Sequence, residues 1–221
     1  MYVELHARSA FSFLEGSSLP EDMVEVCAHL NMPAMALLDR DGVYGSPRFH
    51  LAANKAKIKA HIGAEVTCNQ FQVGNCQLPI AKSPKITNRK SAIEHSFRLP
   101  LLASSRLAYQ NLCRLITRMK LRNKKEEGTI FEHELEEHAS GLICLTGGDD
   151  GLLATALARD GFDEALGAVE RLTQIFGQNN VYIELQRHFH REEEARNRAA
   201  VEIANTLKLP LLATNGVCYA T

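Results

Sequence analysis

Short apolar runs at 2–6, 34–39, 61–67, 98–103, 141–145, 180–186 and 210–214 predict β-strands. Between most of them the apolar positions recur every three or four residues. That spacing predicts helices near 20–30, 46–57, 106–121, 149–159, 162–176 and 190–207. The first helix opens on Pro20-Glu21-Asp22, where a fixed φ and two acids suit a first turn. Met23, Val26, Cys27 and Leu30 form its apolar stripe. The last carries Glu192, Glu193 and Glu194 near its start and buries Ala200, Ile203, Ala204 and Leu207. Strands alternating with helices predict an α/β fold of parallel strands and crossover helices. Polar residues follow several of the apolar runs, and a barrel gathers such strand ends into one pocket, so closure is favoured over an open sheet. The absence of a glycine-rich loop after the first run argues against dinucleotide binding.

The rhythm breaks at 68–97, a stretch rich in Gln, Asn, Lys, Ser and Pro with no helical pattern. It predicts an excursion within a single domain spanning 1–221: a hairpin at Val73-Gly74-Asn75-Cys76, then a mobile loop around Lys82–Lys90. The chain ends just past the seventh run with no covering helix, which points to a longer parent polypeptide.

Composition narrows the function classes only slightly. Apolar residues at 45% and charged residues at 23% are ordinary for a globular chain of 221 residues. A net charge of -1 gives no overall attraction to nucleic acid or anionic lipid, and a chain without Trp offers few base-stacking surfaces. No run is long enough to span a bilayer, and Met1-Tyr2-Val3-Glu4 has no basic leader, which predicts a cytoplasmic protein. Cys27, Cys68, Cys76, Cys113, Cys144 and Cys218 include no C-x-x-C pair. Cys27 and Cys113 fall inside helical patterns and Cys144 inside a strand, so reduced, buried thiols are expected.

The chemistry lies at the ends of the runs. His6-Ala7-Arg8 closes the first, Asp39-Arg40-Asp41 the second and Gly63-Ala64-Glu65 the third. A guanidinium has no lone pair to give a metal, so these positions outline a metal pocket with part of its ligand set replaced. Arg8, Arg40 and Arg98 are expected to grip Glu15, Glu65 or Asp39 and balance carboxylates that would otherwise repel one another. His188-Phe189-His190 has metal-like spacing but also suits a surface loop at a helix start. A residual mononuclear site of His6, Glu65, His188 and Cys218, holding Zn or Mn, is the alternative to no cofactor at all. His133 and His138 are five apart and diverge by about 140° on a helix, too far to share a metal. His29, His50, His61 and His95 stand alone and are read as ordinary surface or satisfied residues. Arg114, Arg118, Lys120, Arg122, Lys124 and Lys125 form a basic strip at a helix end. It is read first as a solvated face and second as a phosphate contact near a DNA path. Gly147-Gly148-Asp149-Asp150-Gly151 reads as a turn into a helix, because its carboxylates would repel phosphate.

Four segments carry a resemblance: Glu4-Leu5-His6 through Ser9, Phe11-Ser12-Phe13-Leu14-Glu15-Gly16; Pro33 through Asp39, Asp41-Gly42-Val43-Tyr44-Gly45; Ile62-Gly63-Ala64-Glu65-Val66; and Ala213-Thr214-Asn215-Gly216-Val217. Together they resemble the PHP (polymerase and histidinol phosphatase) domain, in the branch at the N-terminus of bacterial DNA polymerase III α subunits. Within that branch the chain looks most like the error-prone α-type polymerases of damage-tolerant DNA synthesis. The resemblance implies a distorted (β/α)7 barrel whose active members hold up to three metal ions at the strand ends. Carried over by residue, His6, Glu15 and Glu65 stand at ligand positions. Arg8, Arg40 and Arg98 replace histidines, Gly148 stands where a Cys is expected, and Gly216-Val217-Cys218 replaces an Asp-x-His. The resemblance therefore implies a structural PHP domain with a degenerate metal site. The polymerase body of the same parent would be its partner, with DNA reached through that parent, Mg at the parent's own active site, and other replication or damage-tolerance proteins as further partners. The alternatives are a metal-dependent phosphoesterase or 3′-5′ proofreading exonuclease with a reduced site, and a stand-alone binding protein on an inactive barrel.

Overall fold

The computed structural model describes residues 2–69, 71, 96–123 and 128–220. The hairpin expected at 73–76, the loop around 82–90, Cys76, His95, Lys124 and Lys125 lie outside them. Among the described residues six strands, β1 (Ala34–Arg40), β2 (Lys59–Asn69), β3 (Ser96–Ala103), β4 (Leu142–Leu145), β5 (Val181–Leu185) and β6 (Leu211–Ala213), form one curled sheet in sequence order. Around it pack α1 (Pro20–His29), α2 (Ser46–Ala56), α3 (Arg106–Arg122), α4 (Glu132–His138), α5 (Leu152–Asp160), α6 (Phe162–Phe176) and α7 (Arg191–Leu207).

The expectation of parallel strands fails at β3, which runs antiparallel to both β2 and β4, while the other neighbours are parallel. A parallel pair needs a crossover, usually a helix, and the sequence between β2 and β3 has no helical pattern. The reversal has a consequence for the pocket. Five strands bring their C-terminal parts to one end of the curled sheet, and β3 brings its N-terminal Arg98 to that same end.

The first apolar run is not a strand. It makes single parallel bridges, Glu4 to Met35 of β1 and Ala7 to Val217 beyond β6. The Arg8 N–H donates to Val217 O (2.8 Å) and the Val217 N–H to His6 O (2.9 Å), so this segment lies between the two edges of the sheet. Glu4 fixes it there. Its carboxylate accepts from Tyr2 Oη (2.7 Å), the His6 N–H (2.8 Å) and the Asn215 N–H (3.0 Å). α4 is a further helix that its apolar spacing did not signal, because only Glu134, Leu135 and His138 of its seven residues are buried.

Two large apolar clusters lie between sheet and helices, one under α3 to α7 and one under α1 and α2. A third lies on the inner face of the curled sheet: Ala36, Leu38, Leu102 and Leu145, with Leu5, Ile143, Tyr182 and Leu212 against them. Side chains two apart on a strand share a face. On three strands the inward apolar residue nearest the mouth is therefore followed on the same face by a polar one: Leu38 by Arg40, Tyr182 by Glu184, Leu212 by Thr214. Along β3, Leu102 is followed in the reverse direction by Pro100 and then Arg98.

Candidate functional site at the barrel mouth

The polar ends of these strands meet in one cluster, and it has two halves. The inner half centres on His6, which is 1% exposed. Its Nδ1 lies 2.6 Å from Glu184 Oε1 and its Nε2 lies 3.2 Å from Glu65 Oε1. Burial alone would lower the imidazole pKa, but the two carboxylates outweigh it and raise it to about 10. At neutral pH both ring nitrogens therefore carry hydrogen and donate. Glu65 is held down to about 2, its burial overcome by His6 first and then by Arg8 and Arg98, and Glu184 is lowered, its burial overcome by His6 and then by hydrogen bonds from Thr214 and Gln186. Around Glu184, Gln186 Nε2 donates at 2.8 Å, the Thr214 hydroxyl donates, and the Glu184 N–H reaches Thr146 Oγ1 at 2.9 Å.

The outer half centres on Glu15, on the turn that follows the first segment. Arg98 grips it with both ends of its fork (Nη1 to Oε2 and Nη2 to Oε1, each 2.7 Å), Arg8 Nη1 donates to Oε2 at 3.2 Å, and Arg40 donates to Oε1. Burial would raise the Glu15 pKa, but the guanidiniums, Arg98 foremost, lower it. Glu65 joins the halves, since its Oε2 lies 3.5 Å from Arg8 and 3.7 Å from Arg98.

Of the residues singled out by sequence, His6, Arg8, Glu15, Arg40, Glu65 and Arg98 come together here. Asp39 does not join them, contrary to expectation. It is one residue from Arg40 on β1 and so faces the other way. It accepts instead from the Ser9 N–H (2.9 Å), Ser9 Oγ (2.8 Å), Ser12 Oγ (3.0 Å) and the Gly45 N–H (3.1 Å), which fastens the Glu15 turn to the strand. Asp41 is likewise occupied by Thr67, through its N–H (2.7 Å) and hydroxyl (2.9 Å).

Nor are His6, Glu65, His188 and Cys218 assembled as one ligand set. His188 is on the rim, with Nδ1 against Glu193 (2.7 Å) and Nε2 against Asn215 O (2.9 Å), and Cys218 Sγ donates to Gly216 O (3.3 Å). Among the described residues no three or more His, Cys, Asp or Glu side chains are arranged to hold a metal ion. His133 is exposed and His138 buried, where its Nδ1 lies 2.9 Å from Glu134 O, so these two share nothing. In the basic strip, Arg118 pairs with Glu137, while Arg122 pairs with Glu134, donates to Thr129 O (2.6 Å) and lies over Phe131. Those two charges are committed to neighbouring helix α4, and Arg114 and Lys120 are exposed on α3.

Sequence reading missed Glu184 and Gln186. Gln186 occupies the space beside Gly148 and Gly216: a β-carbon at 148 would sit 2.5 Å from its Oε1, and one at 216 would sit 2.9 Å from its Nε2. Gly216 also has φ +57, a conformation that disfavours other residues. The available signal was Glu184 itself, a lone carboxylate inside the apolar run at 180–186.

Comparison with known proteins identifies the family. The PHP domain model matches residues 4–188. An error-prone DNA polymerase from Mycolicibacterium paratuberculosis is 33% identical over 221 residues, and DNA polymerase III subunit alpha from Borreliella burgdorferi is 29% identical over 219; each match covers 99% of this chain. The chain spans 19% and 18% of those relatives, about a fifth of their length. Among solved structures, a protein described as a metal-dependent phosphoesterase from Bifidobacterium adolescentis superposes with a TM-score of 0.53 at 14% identity, covering 99% of this chain and 88% of that one. An amidohydrolase from Chromobacterium violaceum, solved with sulfate and no metal, matches with the same TM-score and coverage at 13% identity. Those two show the fold alone. With the family model covering most of its length and whole-chain relatives at about a third identity, this chain belongs to the PHP domain family.

Proposed function

We propose that the chain acts as the PHP domain of an error-prone, α-type DNA polymerase, and that its strand-end cluster is a structural lock in place of a hydrolytic metal centre. The supporting observation is the convergence of Arg8, Arg40 and Arg98 on Glu15, with His6 held as an imidazolium between Glu65 and Glu184. Guanidiniums and the imidazolium supply the positive charge that divalent ions would otherwise bring to these carboxylates, and neither can act as a metal ligand. Gln186 fills the space that longer side chains at 148 and 216 would need. The barrel is then a variant of the distorted (β/α)7 type in which the segment at 2–8 has shrunk to two bridges. Its work is to hold the polymerase body, with nucleotide addition and Mg binding residing elsewhere in the parent chain.

The purified chain incubated with Zn²⁺ or Mn²⁺ and then desalted should retain less than one ion per molecule by elemental analysis. It should neither hydrolyse bis-p-nitrophenyl phosphate nor release nucleotides from a 3′ end. Two or more retained ions together with turnover would establish the phosphoesterase or exonuclease reading in its place.

A further inference from the structure

A groove of about 410 Å³ lies outside the cluster, between α1, the start of β1 and the segment 215–220. Met23, Cys27, Met32 and Met35 line its apolar side, and Leu30 and Tyr219, 61% and 62% exposed, form its lips. A contiguous apolar lining in a concave surface, unlike a singly exposed apolar residue, is the kind of patch on which partners dock. Thioethers suit irregular apolar partners because they repack easily.

The lining also discriminates between partners. It contains no Lys or Arg, so a phosphate backbone would find no cation to hold. Its one carboxylate, Glu4, is already taken by Tyr2, His6 and Asn215, and its one histidine, His188, by Glu193 and Asn215. What remains is a mostly apolar slot without a cationic Lys or Arg, its carboxylate and its histidine already paired within the domain, which fits large apolar side chains on a polypeptide.

About four-fifths of each related polymerase lies outside the region this chain matches. Resting on the reading above, we infer that the groove seats an apolar segment of the polymerase body, and that this contact fastens the PHP domain to it.

The test compares the 221-residue chain alone with a full-length chimera in which it replaces the matching region of the Mycobacterium tuberculosis error-prone polymerase, a relative 31% identical to it. Hydrogen exchange is followed in peptides covering 20–30 and 215–220. In the chimera these amides should slow by about tenfold or more. Leu30→Glu should restore fast exchange, and Leu121→Glu, at an exposed apolar site on α3 outside the groove, should not. Equal exchange in both proteins overturns the inference. So does slowing that appears only when an oligothymidylate is added, which would make the occupant a nucleic acid. Slowing in the isolated chain that grows with its concentration would make it a second copy. If the chimera extends a primer and needs this domain for stability while the groove stays open, the groove assignment alone fails. If removing the whole domain leaves the polymerase equally stable, the broader reading fails.

Discussion

The two halves of the mouth cluster solve the same problem at different depths. The inner half places one imidazolium between two carboxylates, with all three side chains at most 4% exposed. The outer half places three guanidiniums around one carboxylate, with exposures of 17% for Arg8 and Arg98, 19% for Glu15 and 41% for Arg40. Desolvation makes the inner charges interdependent, since losing one leaves another stranded away from water. Water and redundancy protect the outer ones, because two arginines remain on Glu15 if a third is lost. The inner half is where the fold is vulnerable, and the outer half is where it tolerates change.

His6→Ala is the most direct way to break that contrast. It strands Glu65 and Glu184 together, and removing one partner of a buried ion pair costs about 3–5 kcal/mol. Urea unfolding should show a loss in that range or an unfolded chain at 25 °C. A loss below about 1 kcal/mol would mean that the inner half is not stabilised by charge pairing.

The same pairing sets a pH signature. His6 is raised to about 10 in the folded state from an unfolded value near 6.5, so its contribution is complete below pH 6.5 and is lost as pH rises through 10. Glu65 is lowered to about 2 from 4.5, so its contribution is complete above pH 4.5 and is lost as pH falls through 2. These shifts describe one interaction from its two sides and are not summed. Urea midpoints of the wild type should be highest between about pH 4.5 and 6.5 and decline toward both limits. In His6→Gln the decline between pH 6.5 and 10 should flatten, and an unchanged slope there would remove His6 as its source.

Gln186 sharpens the comparison at the inner edge. Gly148→Ala drives a β-carbon to 2.5 Å from Gln186 Oε1, an overpacking that costs about 1–3 kcal/mol. Gln186→Ala removes hydrogen bonds to Glu184 and Thr214 and is destabilising by itself. The double variant should cost less than the sum of the two singles, because the second change removes the clash made by the first. Strict additivity would show that Gln186 does not fill the space at 148.

How much of this was legible in the sequence divides along physical lines. All six strands coincide with apolar runs, because burial imposes those runs directly on composition. The direction of β3 does not follow from its own residues; it was recorded only in the helix-free stretch before it. Arg8 and Arg40 were legible just past apolar runs and Glu65 and Arg98 inside them, whereas Glu15 was picked out by the resemblance. Their partners were less so. Asp39 is adjacent to Arg40 in sequence and on the opposite face in space. Glu184 looked like an incidental charge until the strand's inward face was known. α4 went unmarked because only three of its seven residues are buried, too few for a stripe.

The outer half supplies the smallest effect, which is also the most specific check. Arg40 is the most exposed of the three guanidiniums, and its other carboxylate neighbour, Asp41 at 3.7 Å, is already saturated by Thr67. Arg40→Ala should therefore cost about 0–1 kcal/mol, the range of an exposed pair, and 1 M NaCl should erase the difference from wild type. Arg98→Ala removes a bidentate grip that is 17% exposed, so its cost should be larger and should persist in salt. If Arg40→Ala destabilises as much as Arg98→Ala and resists salt equally, the outer half is as dry as the inner one. The mouth would then be one buried network, and the distinction between vulnerable and tolerant halves would have to be given up.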